Sequence, residues 1–240
     1  MIGKEQKSDS AVSRNNIAYY NEIAKEYEAI LDKDAANASI RDKVANKFLS
    51  LAKPGCVMDF GGGTGMDIGW LTGHGYKIIF CEPSVAMRDI AMQRTKNEFA
   101  GADILFLDDA ESDFRNWLPA IPFAQQANAV LANFAVINCI PDIGLLFEKI
   151  SLVVQPGGVV IALILDNTLK KRLRSNFKGT LWSFFSGGPV RIFIEHNNQH
   201  QSVYIHSNRS IKKAAKAFFS WLSCEHLNAS GFCLIHLERK

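Results

Sequence analysis

The sequence predicts an α/β fold, a mostly parallel sheet with helices on both faces. Three observations carry this expectation. Between residues 56 and 165, short and nearly continuous apolar runs alternate with amphipathic stretches, the pattern of a sheet covered on both faces. The first of those runs, "CVMDF", breaks into the alternate glycines Gly61, Gly63 and Gly65 and then resumes at helical spacing. With 240 residues, 48% hydrophobic and 21% charged, the chain can bury one sizeable core, and a second full domain would be cramped.

Each element follows from local pattern. Ile17, Tyr20, Ala24, Tyr27 and Leu31 recur at three-four spacing and predict an amphipathic helix over 13–31. "ASIRDKVANKFLSLA" predicts a second helix over 38–52, stopped by Lys53-Pro54-Gly55. Strand "CVMDF" precedes a helix over 65–73, and strand "KIIFCE" precedes a helix over 84–98 opened by Ser84. Strand "DILFL" leads to a short helix around 111–118. Strand "ANAVLANF" leads to a helix over 142–153, and "VVIALIL" follows "QPGG". After residue 166 a basic and aromatic stretch ends in Gly187-Gly188-Pro189. "VRIFIE" and "SVYIHS" flank a polar turn and predict a hairpin. A helix over 209–222 and strands around 224–228 and 232–238 are expected to finish the chain.

Composition excludes several classes. A formal net charge of +3 is too small to mark a general nucleic-acid binder. No apolar stretch approaches the roughly 20 residues of a membrane span, and the opening segment has no apolar core of the kind a secretory signal carries. Cys56, Cys81, Cys139, Cys224 and Cys233 are scattered without a CxxC, which fits a reduced, cytoplasmic protein. No metal is expected. His196 and His200 stand four apart in "HNNQH", but the residues between them read as a turn, not a helix face.

A strand that ends in glycines and opens a helix brings backbone N–H groups and a helix N-terminus to a ligand, with no Cβ in the way. A nicotinamide site would need a glycine where Met66 stands, and no GKS or GKT exists for a P-loop. "VMDFGGGTGMD" resembles motif I of the class I S-adenosylmethionine-dependent methyltransferases, a strand, an Asp, then GxGxG. In register with it, Glu82 followed by "PSVAM" is similar to the family's acidic segment. "LDDAES", "NAVLANFAVINCIPD" and "FEKISLVVQPGG" resemble its later motifs, and "YYNEIAKEYEAIL" resembles the aromatic cap helix of small-molecule members. The resemblance covers roughly residues 17–166. It implies a Rossmann-like seven-stranded sheet of order 3-2-1-4-5-7-6, with an N-terminal helical cap and an insertion after strand 5. The expected organisation is a single unit: cap over 1–52, cofactor-binding core over 53–166, substrate-side insertion and hairpin over 167–207, closing helix and strands over 208–240.

The resemblance also implies a cofactor, S-adenosylmethionine, and residues to hold it. Gly61 and Gly63 would let backbone approach the methionyl part and ribose. Asp59 would receive the ammonium directly or through water, or brace the loop. Glu82, 21 positions beyond Gly61, would accept both ribose hydroxyls, since a carboxylate offers two oxygens. Asp109, in preference to its neighbour Asp108, would accept from the adenine amino group, with the Ala110 N–H on a ring nitrogen. Pro83 and Met87 would pack on adenine and ribose, or serve as core. Asn133 and Phe134 would stand beside the sulfonium. Tyr20 and Tyr27, seven apart on one helical face, would close over the cofactor, and aromatic faces suit a cationic sulfur.

On the acceptor side His206 is the candidate general base, because it precedes the helix expected to face the cleft. Lys170, Lys171, Arg172, Arg174, Lys178 and Arg191 suit either a solvated face or an acidic acceptor. Leu181, Trp182, Phe184 and Phe185 suit an apolar pocket or an anchor, and the same stretch leaves a homodimer open. The expected activity is methyl transfer to a small-molecule acceptor. The alternatives are an RNA or protein methyltransferase, against which stand the missing Asn/Asp-Pro-Pro-aromatic signature and the lack of a nucleic-acid module, and a non-catalytic cofactor-binding protein. No membrane partner is expected.

Overall fold

Cys56–Phe60 (β1) is buried at all five positions, as a strand must be when it has a parallel neighbour on each side and helices above and below. The computed structural model describes residues 2–118, 125–166, 188–196, 199–227 and 231–240, with side chains from residue 13 onward. The basic and aromatic residues from Lys170 to Phe185 singled out above lie outside the described residues.

Around β1 the sheet adds Lys77–Cys81 (β2), Ile104–Phe106 (β3), Ala127–Ala132 (β4) and Val154–Leu165 (β5), all parallel. Val190–His196 (β6) and Gln199–Ile205 (β7) form a separate two-stranded hairpin. Phe219–Leu227 (β8) and Phe232–Arg239 (β9) return to the main sheet, whose order is β3-β2-β1-β4-β5-β9-β8. Strand β9 lies antiparallel to both neighbours. With the hairpin strands set aside, this is the 3-2-1-4-5-7-6 order that the resemblance implies.

Two cores cover the faces. Met58, Ile79, Val130 and Val160 point to the side packed by helix Ile143–Val153 (α7) and helix Asn208–Ala215 (α8). Val57, Ile78, Phe80, Leu131 and Ile161 point to the side packed by Ala36–Leu51 (α3), Ile68–Gly73 (α4) and Val85–Glu98 (α5). On α3 the buried residues Ile40, Val44 and Phe48 stand four apart, one helical stripe. Full burial of side chains such as Val44 and Phe48 contributes about 1.5–3 kcal/mol each. Helix α5 starts where expected, with the Ser84 side chain capping the Met87 N–H.

Four expectations change. The helix expected over 65–73 starts only at Ile68, so the glycines lead into turn residues 63–67 and not directly into α4. The helix expected over 13–31 is two helices, Ile2–Ile23 (α1) and Tyr27–Asp32 (α2), joined through turn bonds from Glu26 N to Ile23 O and Tyr27 N to Ala24 O. The helix expected over 111–118 starts earlier, as Asp109–Ser112 (α6) followed by a 3-10 turn over Phe114–Asn116. Helix α8 ends at Ala215, not 222, because residues from Phe219 onward find backbone partners on β9. Tertiary pairing overrides local helix propensity there. No helix among the described residues is long and apolar enough to cross a membrane.

Candidate functional site

Parallel strands bring their carboxyl ends to one edge, and ligands of such sheets bind there. At that edge β1 runs into Gly61, β2 into Glu82 and β4 into Asn133, and these three line a cavity of about 550 Å³. That volume is within the range of small-ligand sites. Helices α1 and α2 roof it through Tyr20 and Tyr27, whose rings meet edge to face with centroids 6.2 Å apart.

The glycine turn is bare for two different reasons. Gly61 (φ +73°) could not carry a Cβ without meeting the Val136 methyls at 2.6 Å. Gly63 (φ +59°) would instead aim a Cβ into the cavity, where its nearest neighbour is Tyr27 Cε1 at 3.8 Å. The first glycine answers to packing, the second to whatever occupies the cavity. The Gly63 N–H donates to Glu82 Oε2 (2.9 Å) and the Ser84 N–H to Glu82 Oε1 (2.7 Å). Each carboxylate oxygen thus keeps a second lone pair for a ligand. Burial raises the Glu82 carboxyl to about 7, against the lowering effect of those two N–H groups and of Arg88.

Arg88 is the hub of the next strand end. It donates to the Glu82 carbonyl (2.7 Å) and forms an ion pair with Asp109. Asp109 lines the cavity with its side chain 72% exposed, whereas Asp108 caps α6 in a capping box with Glu111. That division of labour explains the doubled aspartate. Ala110 is not on the cavity wall; its carbonyl accepts from Asn116 Nδ2 (2.9 Å). Pro83 and Met87 do line the cavity, and Met87 is also part of the cluster that seats α1.

Asp59 is not on the wall. It lies behind the turn, buried, with Oδ2 2.8 Å from where a Gly62 Cβ would stand and without a hydrogen-bond partner. Burial raises its carboxyl well above the ordinary range, and the nearby Asp67 and Glu82 charges add to this while Arg41 opposes it. A further carboxylate on the cavity wall, beside Glu82 and Asp109, is Asp67, which the sequence reading passed over. It accepts from Arg41 Nη1 (2.7 Å), Trp70 Nε1 (2.9 Å) and Asn133 Nδ2 (2.9 Å). Arg41 also stacks its guanidinium 4.6 Å from the Phe134 ring centroid. Phe134 and Ala135 both have positive φ, +47° and +65°, a sparsely populated conformation for residues with side chains. The strand end is held in it by the Asn133 side chain, which accepts from Phe134 N, and by Ala135 N donating to Leu163 O.

The cap is tied down by polar bonds no periodicity announces. Glu28 accepts from Thr64 Oγ1 (2.6 Å) and pairs with Arg94, joining α2 to the glycine turn and α5. Asn21 accepts from Ser84 Oγ and Ala86 N. Asn16 exchanges bonds with the Ser202 backbone on β7. Deeper in, Gln201 Nε2 donates to Tyr20 Oη (2.6 Å) and lies 3.2 Å from Cys139 Sγ. Burial raises the Tyr20 hydroxyl well above its ordinary value, so it stays protonated.

The structure does not bring His206 to the cavity. It is 2% exposed, stacked beside Tyr204, and its Nε2 is 2.9 Å from the Ile140 carbonyl. Ile140 lines the cavity and His206 does not, so among the described residues the structure gives the base expectation no support. The strands that carry His196 and His200 pair Glu195 with His200 and His196 with Gln199, so the two histidines do not face each other directly.

Residues 31–218 match the family model described as a methyltransferase domain. No curated protein matches the sequence. Among solved structures, a DhpI-SAM-HEP complex superimposes with TM-score 0.68 at 18% identity, covering 95% of this chain and 97% of that one. An S-adenosylmethionine-dependent methyltransferase from Clostridium acetobutylicum gives 0.64 at 12%, covering 92% and 98%. The 1,6-didemethyltoxoflavin-N1-methyltransferase of Burkholderia thailandensis, solved with 1,6-didemethyltoxoflavin and S-adenosylhomocysteine, gives 0.60 at 12%, covering 92% and 87%. At these identities the likeness is one of fold.

Proposed function

Since this chain belongs to the methyltransferase domain family, we propose that it transfers the methyl group of S-adenosylmethionine to a small-molecule acceptor by in-line displacement. One observation carries the cofactor reading: the side-chain-free turn at Gly63 and the buried Glu82 carboxylate that accepts from its N–H lie together on the wall of one cavity. The residues present fit the group. Glu82 has acceptor capacity left for two ribose hydroxyls, and Asp109, held by Arg88, is placed for the adenine amino group. Pro83 and Met87 supply apolar wall for the rings. The methionyl end falls to Gly61, Asn133 and Phe134, with Asp67 as the charged neighbour for an ammonium and Asp59 as support beneath the turn.

When bound, the sulfonium supplies an activated methyl group and leaves as a neutral thioether. The protein's task is then alignment and exclusion of water, worth several orders of magnitude when the reacting atoms are held in line. Tyr20 and Tyr27 close the roof over that region, and Val136 and Ile140 form its apolar floor. Tyr20 and Cys139 line the cavity as its hydrogen-bonding fringe, backed by Gln201. The roofed cavity of about 550 Å³ favours a small acceptor over a polymer lying in an open groove.

Incubation of the protein with methyl-labelled S-adenosylmethionine and fractionated metabolites, read by mass spectrometry, is expected to show one fraction gaining a single methyl group. S-adenosylhomocysteine is expected to raise the melting temperature, by the equivalent of about 2.7 kcal/mol at a hundred times Kd. Stabilisation by NAD alone would overturn the cofactor reading. Methyl label recovered only in RNA or protein would overturn the small-molecule reading.

A further inference from the structure

At the far edge of the sheet, outside the cavity lining, lies a second group of reactive side chains. Strand β8 places Cys224 and His226 two apart, hence on one face, and the β8–β9 register sets Cys233 opposite His226. Cys224 Sγ, a ring nitrogen of His226 and Cys233 Sγ all lie within 4.8 Å of one another. The Cys233 sulfur is 2.9 Å from His226 Nδ1, and the Asp166 carboxylate, just past the end of β5, is 3.5 Å from the same nitrogen. We propose that Cys224, His226 and Cys233 form a zinc site, with a water molecule completing the tetrahedron, that staples strand β8 to strand β9 beside the end of β5.

The donor set selects the metal. Two thiolates and an imidazole are soft to borderline ligands, suited to zinc and poorly suited to magnesium or calcium, which prefer oxygen. Tetrahedral bonds of about 2.3 Å to sulfur and about 2.0 Å to nitrogen put neighbouring ligand atoms roughly 3.5 Å apart. All three ligand atoms lie within 4.8 Å of one another, and the Cys233–His226 contact of 2.9 Å needs to open by about half an ångström to reach that spacing. Binding releases the two thiol protons to solvent and leaves the imidazole neutral, so charge and atoms balance. Access is graded. Cys233 is buried, Cys224 half-buried, and the His226 side chain 41% exposed, so an ion enters from the histidine side. Asn208, at the start of α8, donates to the Cys224 sulfur and orients it from behind. The chain spacing, C-x-H followed by a cysteine seven residues on, matches none of the usual zinc signatures; it is the antiparallel register that assembles the set.

The test uses the full chain, reduced and stripped with a chelator, then titrated with cobalt(II) without oxygen. One cobalt per chain is expected, with the strong visible bands of a tetrahedral ion and a thiolate charge-transfer band, both bleached by one equivalent of zinc. C224S and C233S are each expected to cut the charge-transfer intensity to about half, the double variant to abolish it, and C56S to leave it unchanged. Absence of the charge-transfer band in the wild type, or its persistence in the double variant, overturns the site. If the variants do not fold, alkylation of the wild type decides: zinc is expected to protect Cys224 and Cys233 against iodoacetamide, and equal labelling of both with and without zinc overturns the proposal. Isolation with a Cys224–Cys233 disulfide that binds no metal after reduction overturns it as well.

Discussion

Replacing Glu82 with Gln removes a buried charge and a ligand contact in one step, and the two effects have opposite signs. Glu82 is 7% exposed, and burial raises its carboxyl from an ordinary 4.5 to about 7. At about 1.36 kcal/mol per pH unit, that difference is worth on the order of 3 kcal/mol. The folded chain holds the proton more tightly than the unfolded chain does. The associated stability is therefore complete below 4.5 and lost as pH rises through 7, so ligand-free wild type carries the full penalty at pH 8. A Gln side chain carries none, although it offers one acceptor oxygen to the Gly63 and Ser84 N–H groups where the carboxylate offers two. That loss, about 1–3 kcal/mol, applies at every pH. Urea denaturation of E82Q and wild type at about pH 4.5 and pH 8 is thus expected to show the variant gaining about 3 kcal/mol relative to wild type across that interval. Under the proposed cofactor reading the same variant gives up a charge-assisted bond to a ribose hydroxyl, about 1.5–3 kcal/mol, so S-adenosylhomocysteine affinity should fall roughly 10- to 100-fold by calorimetry. A parallel pH dependence for the two proteins, or a Kd within threefold of wild type, would refute the reasoning.

Other substitutions separate packing from function. G61A drives a Cβ into Val136 and should cost roughly 2 kcal/mol or more. G63A bears only backbone strain of about 1–2 kcal/mol, and should lower S-adenosylhomocysteine affinity by more than it lowers stability. D67N withdraws the anion from Arg41 in a site only 6% exposed and should destabilise by about 3 kcal/mol, read from the denaturant midpoint at constant m value. H206A loses the bond to the Ile140 carbonyl and leaves a void, for about 2–3 kcal/mol. Once an acceptor is in hand, the variant's turnover per folded molecule should follow that of wild type across the pH range; loss of the acidic limb of the wild-type pH profile would restore His206 as a base.

The order of strands and helices between residues 56 and 165 was legible because each signal is local. A buried parallel strand is a continuous apolar run, a helix start is a capping Ser or Asp, and a backbone that must approach a ligand ends in glycine. Glu82 and Asp109 were singled out through the family resemblance, and parallel strands, which deliver their carboxyl ends to one edge, bring both to the cavity wall. What depends on three-dimensional neighbours was not. Asp59 and Asp67 are equivalent as letters, and only packing buries one behind the turn while Arg41, Trp70 and Asn133 hold the other on the wall. The break between α1 and α2, and the early end of α8, follow from polar anchors and strand pairing supplied by distant segments. Cys224, His226 and Cys233 carry no recognisable spacing; an antiparallel register, which no local pattern specifies, sets them within reach of one another. Local periodicity and turn chemistry thus determined the scaffold, and long-range contacts alone decided which side chains meet, because a side chain's surroundings are built from residues far away in the chain.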